Sequence, residues 1–233
     1  MPLLHYIWGN VAGEGVVKLY YTPGSSSLAS RIIACEAGLA IEYDKVDLKN
    51  RTTASGRNFI KINPKGTVPA LALNDGQVLT EVSVVLQFLA DQAPDSCLIP
   101  KEGTLDRYRV QEWLGYIGTE LHKGFSALWS PMSPEAARQI AVEQLRRRFR
   151  YVDRHLEDRS YLMGDQFTVA DAYGFAILNW TSFHKIDMSE HAALSAYKKR
   201  VADRPRVRQA LEDEGLLKNA ADSRSPAPGG AGP

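Results

Sequence analysis

The sequence predicts an α/β unit of order βαβαββα followed by an all-α helical bundle. Three observations carry that expectation. Short β-forming runs with helix and hairpin signals between them continue only to about residue 92. From Pro94 onward the strand pattern gives way to long amphipathic segments. The 233 residues also exceed the usual single domain of roughly 100–150 residues without reaching three.

Val17-Lys-Leu-Tyr-Tyr21 is rich in β formers and stops at Pro23-Gly24, so it reads as the first strand. Leu28 to Ala37 carries apolar residues at helical spacing and ends at Gly38. Ile41 to Asp47 alternates as a second strand, and the polar stretch through Gly56 leads to a short helical segment around Asn58 to Ile62. Val68 to Leu73 is the third strand. Asn74-Asp75-Gly76 is a hairpin signal, so Gln77 to Leu79 returns antiparallel as the fourth, ahead of a helix over 83–92. Pro94, Pro100 and Gly103 mark a linker, and the amphipathic segments fall at about 104–129, 134–157, 168–183 and 190–201. The expected domains are therefore 17–95 and 104–217, joined by a linker over 96–103. Residues 1–16 form an extension with no counterpart in this plan, which makes Val17 a candidate native start that N-terminal sequencing would settle. The Pro- and Gly-rich tail over 218–233 is expected to be disordered.

Composition narrows the function. Lys+Arg at 28 against Asp+Glu at 27 gives a net charge of +1, no field for nucleic acid or an anionic membrane surface. Cys35 and Cys97 are too few and too far apart for a disulfide framework, which suits a reducing, cytoplasmic location. No run approaches the ~20 apolar residues of a membrane span. Without GxGxxG, Walker, HExxH or CxxC patterns, nucleotide and metal cofactors have no support. Arg146-Arg-Arg-Phe-Arg150 lies among Glu143, Asp153 and Glu157 and reads as a solvated helix face.

The most specific stretch is Ile62-Asn-Pro-Lys-Gly-Thr-Val-Pro-Ala-Leu71, where a turn runs into Val68-Pro69 at the head of an apolar strand. A cis bond there would turn the Val68 N–H and C=O outward to pair with an extended peptide ligand; an ordinary edge-strand proline fits the spacing equally well. Thr168-Val-Ala-Asp171 is a helix-start signal concerned with folding.

Together with Tyr21-Thr-Pro-Gly-Ser-Ser-Ser-Leu-Ala29, Leu79-Thr-Glu81 and Phe167-Thr-Val-Ala-Asp-Ala-Tyr173, that stretch resembles beta-class bacterial glutathione S-transferases over about residues 17 to 217. The resemblance implies a thioredoxin-like first domain, a cytoplasmic homodimer engaged in detoxification, and glutathione as co-substrate. It implies that Val68, with Pro69, meets the cysteine backbone of glutathione, that Glu81 receives its α-ammonium and that Arg51 receives its glycyl carboxylate. Val82 stands where many relatives have a small or hydroxylated residue, with Ser83 one position on. The resemblance also implies that Glu120 reaches the partner subunit's glutathione and that His122 and Lys123 lie near the sulfur.

Ser26 occupies the place of the usual beta-class cysteine, which excludes mixed-disulfide exchange there. A serine hydroxyl can instead donate to glutathione's thiolate, with Ser25 and Ser27 as competitors; the plainer reading is that all three cap the helix. Tyr116, Phe125, Trp129 and Trp180 are the expected lining for a small hydrophobic electrophile. The expected activity is conjugation, or a glutathione-dependent isomerase, lyase or dehalogenase reaction. The alternative is a non-catalytic ligand carrier or partner-binding subunit.

Overall fold

The computed structural model describes residues 17–217, so the readings for 1–16 and for the tail lie outside the described residues. The first part runs β1 Lys18–Tyr21, α1 Leu28–Glu36, β2 Glu42–Asp47, β3 Thr52–Thr53, β4 Ala70–Ala72, β5 Val78–Thr80 and α2 Val82–Asp91. The sheet order is β3-β2-β1-β4-β5, with β1 and β2 parallel and the other pairs antiparallel. The expected βαβαββα order is present, with the two-residue β3 added at the edge.

Alternation in β1 explains why the sheet is covered on both faces. Leu19 is fully buried toward α1 and α2, whereas Tyr20 packs with Val46, Phe59, Val68 and Ala70 on the opposite face. A short 3-10 turn at Phe59–Lys61 supplies Phe59 to that second layer. β4 starts later than the sequence predicts because Pro69 has no N–H to contribute to a ladder. The Asn74-Asp75-Gly76 turn holds as expected, with Asp75 Oδ1 accepting Gln77 N–H at 2.9 Å and Gly76 at φ +85°.

The second part comprises α3 Leu105–Tyr116, α4 Ser126–Trp129, α5 Glu135–His155, α6 Val169–Phe183, α7 Ala192–Ala202 and α8 Pro205–Asp213. The continuous helix expected over 104–129 is broken. After α3 the chain passes through a π turn at Ile117–His122 and a 3-10 turn at Lys123–Phe125. Gly115, Gly118 and Gly124 weaken regular helix there, and the Gly124 backbone approaches α5 so closely that a Cβ would lie 2.8 Å from Leu145 Cδ2. α8, begun by Pro205, lies beyond the last expected segment.

α6 is the central helix, packing on α1, α2, α3 and α7. Its start is fixed by the buried Asp171 carboxylate, which accepts Thr168 N–H at 2.8 Å and also Leu162 N–H and Tyr197 Oη. Across the two parts, Arg204 clasps Glu36 through Nε and Nη2 at 2.7 and 2.8 Å. Cys35 packs against the core and Cys97 is exposed. Arg148 pairs with Glu120 at 2.8 Å and Arg146 with Glu143 at 3.9 Å, as suits a solvated helix face.

Candidate active site

A cleft of about 1140 Å³ opens between the loop edge of the sheet and the helices. One wall begins where β1 turns into α1. Gly24 adopts φ +70°, and a Cβ there would stand 3.4 Å from Leu216. Both of its backbone groups are held by the helical part. Its N–H donates to Glu214 Oε2 at 2.9 Å, and Trp180 Nε1 donates to its C=O at 2.8 Å. The other oxygen of the buried Glu214 carboxylate accepts Arg31 Nε at 3.2 Å. Burial pushes the Glu214 carboxyl up from its ordinary value, opposed by the Gly24 N–H and Arg31.

The three serines of this loop divide. Ser27 Oγ turns inward, accepting Thr22 N–H at 3.2 Å, donating to Thr22 C=O at 3.3 Å and sharing a hydrogen bond with Ser25 Oγ at 2.7 Å. Ser25 and Ser26 line the cleft. Ser26 Oγ donates to Val68 C=O at 3.3 Å. Ser27, at the cap position, makes no capping bond to α1, while Ser25 Oγ accepts the Ser27 N–H at 3.2 Å, so of the three serines Ser25 satisfies a backbone donor at the helix entry.

Facing the serines, the Val68–Pro69 bond is cis, which decides between the two readings of that proline. Both residues line the cleft, and among the described residues the Val68 N–H makes no hydrogen bond. Arg51 reaches the same wall and donates through Nη1 to the Gly66 carbonyl. That approach requires glycine, since Gly66 sits at φ +66° and a Cβ would fall 2.8 Å from Arg51 Nη1. Glu81 adopts φ +71°, a region that strains a residue with a Cβ and that persists mainly at functional positions. Its Oε1 accepts Lys65 Nζ at 2.6 Å. Val82 and Ser83 continue the cleft wall at the start of α2.

The helical wall is aromatic. His122, carried by the π turn, shares a 2.7 Å hydrogen bond between its Nδ1 and Tyr173 Oη and meets Trp180 edge-on at 5.0 Å. Desolvation, with a smaller push from Lys123, lowers the His122 pKa to about 4, so the ring is neutral at pH 7. Burial raises the Tyr173 pKa, so its hydroxyl keeps its proton. Trp129, 43% exposed, lies edge-on to Trp180 at 5.3 Å, and Lys123 also lines this wall.

Three expected site residues stand elsewhere. Phe125 is fully buried beneath Trp180, at 5.4 Å between centroids, and takes no part in the wall. Tyr116 points toward α5, against Trp113 and Tyr151, with its hydroxyl 3.4 Å from the Arg148 carbonyl. Glu120 is tied to Arg148 and does not line this cleft. Conversely, Lys65 and Tyr173 line it although the sequence marks them only as members of a turn and of a helix start. Glu214, isolated near the end of the described chain, carries no local signal.

The family model for the glutathione S-transferase N-terminal domain matches residues 25–92, and that for the C-terminal domain matches 116–205. The chain belongs to the glutathione S-transferase family. It is 42% identical to glutathione S-transferase GstA of Escherichia coli O157:H7 over 86% of this chain and all of that one. The solved bacterial beta-class glutathione S-transferase of Sphingomonas chungbukensis superposes with a TM-score of 0.84 at 42% identity, covering 86% of this chain and all of the other. A sphingomonad glutathione S-transferase solved with glutathione gives 0.83 at 42%, with the same coverage. Glutathione S-transferase chemistry therefore frames the cleft. Among the described residues no helix is long and apolar enough to cross a membrane and no cluster of potential metal ligands occurs.

Proposed function

We propose that this glutathione S-transferase conjugates glutathione to small hydrophobic electrophiles by a serine-assisted mechanism. The observation that carries the reading is the Ser26 hydroxyl at the cleft wall, held among the described residues by one 3.3 Å hydrogen bond to Val68 C=O. Such a hydroxyl can turn from the carbonyl to donate to a glutathione thiolate, stabilising it below the free thiol value of roughly 8.5. Ser25 is the nearest alternative donor, because Ser27 is committed to Thr22.

In this reading the Val68 N–H pairs with the cysteine backbone of glutathione beside Pro69, and Arg51 receives the glycyl carboxylate. Glu81 takes the α-ammonium, and the first N–H groups of α2 at Val82 and Ser83 take the α-carboxylate. The thiolate then attacks an electrophile held by Trp129 and Trp180. Neutral His122 and Lys123 accompany the charge that moves onto the leaving group. Isomerase, lyase and dehalogenase variants begin from the same thiolate. The non-catalytic carrier reading gains nothing from relatives that are themselves glutathione S-transferases.

We further propose domain limits of 17–95 and 104–217 with a linker at 96–103, and a homodimer in which Glu120 exchanges Arg148 for the partner's glutathione. A cytoplasmic location suits glutathione-dependent chemistry. The test is glutathione-dependent loss of an activated aryl halide, with the thioether identified by mass spectrometry. Ser26→Ala is expected to lower kcat/KM about 10- to 100-fold, within the range set by loss of one donor to a developing anion. Glutathione binding without a thioether from any soft electrophile would overturn the reading.

A further inference from the structure

The γ-glutamyl end of glutathione carries an ammonium and a carboxylate on the same carbon. The cleft corner at Glu81 presents the complementary pair. Lys65 Nζ lies 2.6 Å from Glu81 Oε1 and 2.9 Å from Thr80 Oγ1, and both Lys65 and Glu81 line the cleft. The backbone beneath Lys65 is held firmly. Asn63 Nδ2 donates to Thr67 C=O at 2.7 Å, and Asn63 Oδ1 accepts the Lys65 N–H at 3.2 Å. A fixed turn therefore anchors the Lys65 backbone beside the cleft, while its exposed side chain can change partners.

Val82 sharpens the need for such a group. Its side chain is buried and cannot donate, so at that position the start of α2 offers a ligand carboxylate only backbone N–H groups. We propose that Lys65 is a specificity-determining residue for glutathione, releasing Glu81 to the ligand's α-ammonium and itself pairing with the α-carboxylate. This rests on the glutathione reading above. An exposed lysine–carboxylate pair contributes little by itself, so the exchange of partners is easily made. One ion pair becomes two, and the carboxylate also meets the positive end of α2. Between ligands, Lys65 shields the Glu81 carboxylate from repelling other anionic groups of an incoming tripeptide.

The experiment is calorimetric titration of wild type, Lys65→Met and Lys65→Arg with glutathione, with butyryl-cysteinyl-glycine, which lacks the α-ammonium and α-carboxylate together, and with γ-aminobutyryl-cysteinyl-glycine, the des-carboxy analogue that lacks only the α-carboxylate. Lys65→Met is expected to weaken glutathione about 5- to 10-fold, to leave the des-carboxy analogue within about 2-fold of wild type, and to be largely rescued by Lys65→Arg. Equal weakening of glutathione and the des-carboxy analogue, or unchanged glutathione affinity in Lys65→Met, would overturn the assignment while leaving the glutathione reading standing. Failure of wild type to bind glutathione at millimolar concentration would overturn both. Because Lys65 is exposed, all variants are expected to melt with wild type, which a thermal scan checks.

Discussion

The sheet-side wall of the cleft presents Arg51, Lys65 and Glu81 to solvent, whereas the helix-side wall keeps Tyr173 and Trp180 buried and His122 half-buried. Charge on the first wall is available and mobile. On the second, burial keeps His122 neutral and Tyr173 protonated, and the exposed Lys123 stands at its edge. The difference teaches where each reactant belongs. A zwitterionic, carboxylate-ended tripeptide matches the charged wall, and a flat apolar electrophile matches the aromatic one. The two meet at Gly24, whose N–H is held by Glu214 and whose C=O is held by Trp180.

The largest effect is expected from breaking that junction. Glu214→Leu removes the acceptor of Gly24 and strands the Arg31 guanidinium, which is left with Asp213 at 3.7 Å and the faces of Tyr43 and Tyr21. Urea denaturation should show a loss of about 3 kcal/mol, the scale for removing one member of a buried pair. Adding Arg31→Met should recover much of that stability, since the stranded charge is then gone. The double variant should nonetheless stay impaired in turnover, because Gly24 remains unheld. Full recovery of turnover would show that the junction serves stability alone.

The helix-side wall is tested by pH. His122 has a folded pKa of about 4 against an ordinary value near 6.5, so below 6.5 the unfolded chain takes up a proton that the folded chain resists. Its contribution is complete above pH 6.5 and is lost as pH falls toward 4, on the order of 3 kcal/mol in all. Denaturation midpoints across that window should fall more steeply for wild type than for His122→Gln. An equal slope in the two would contradict the neutral, desolvated wall.

A smaller effect is expected on the sheet-side wall. Gly66→Ala forces a Cβ into φ +66° and toward Arg51 Nη1. Steady-state kinetics should show a KM for glutathione raised several-fold with kcat nearly unchanged, and stability lower by about 1–2 kcal/mol. An unchanged KM would remove Arg51 from the glutathione wall.

The same contrast explains what is legible in the sequence. The sheet-side wall is built from contiguous stretches that carry the family resemblance, so Ser26, Arg51 and Glu81 are named through that resemblance, while the turn and proline at Val68-Pro69 are marked by the local sequence as well. The helical wall depends on rotational phase. The continuous helix expected over 104–129 is interrupted by a π turn, whose extra residue shifts the side chains beyond it by about 100°. Phe125, beyond the turn, goes under Trp180 and His122 reaches the cleft, whereas Tyr116, before the turn at the end of α3, faces α5. Glu214 is illegible for another reason: its partners Gly24 and Arg31 lie 190 and 183 residues away, and nothing local marks that pairing.

The central claim is that Ser26 lowers the pKa of bound glutathione's thiol. Ultraviolet titration of the thiolate in the binary complex, compared between wild type and Ser26→Ala, tests it most directly. The expected result is a midpoint below the free value of roughly 8.5 in wild type, moved upward by about one pH unit in Ser26→Ala. The same midpoint in both proteins would contradict it and remove Ser26 from the mechanism.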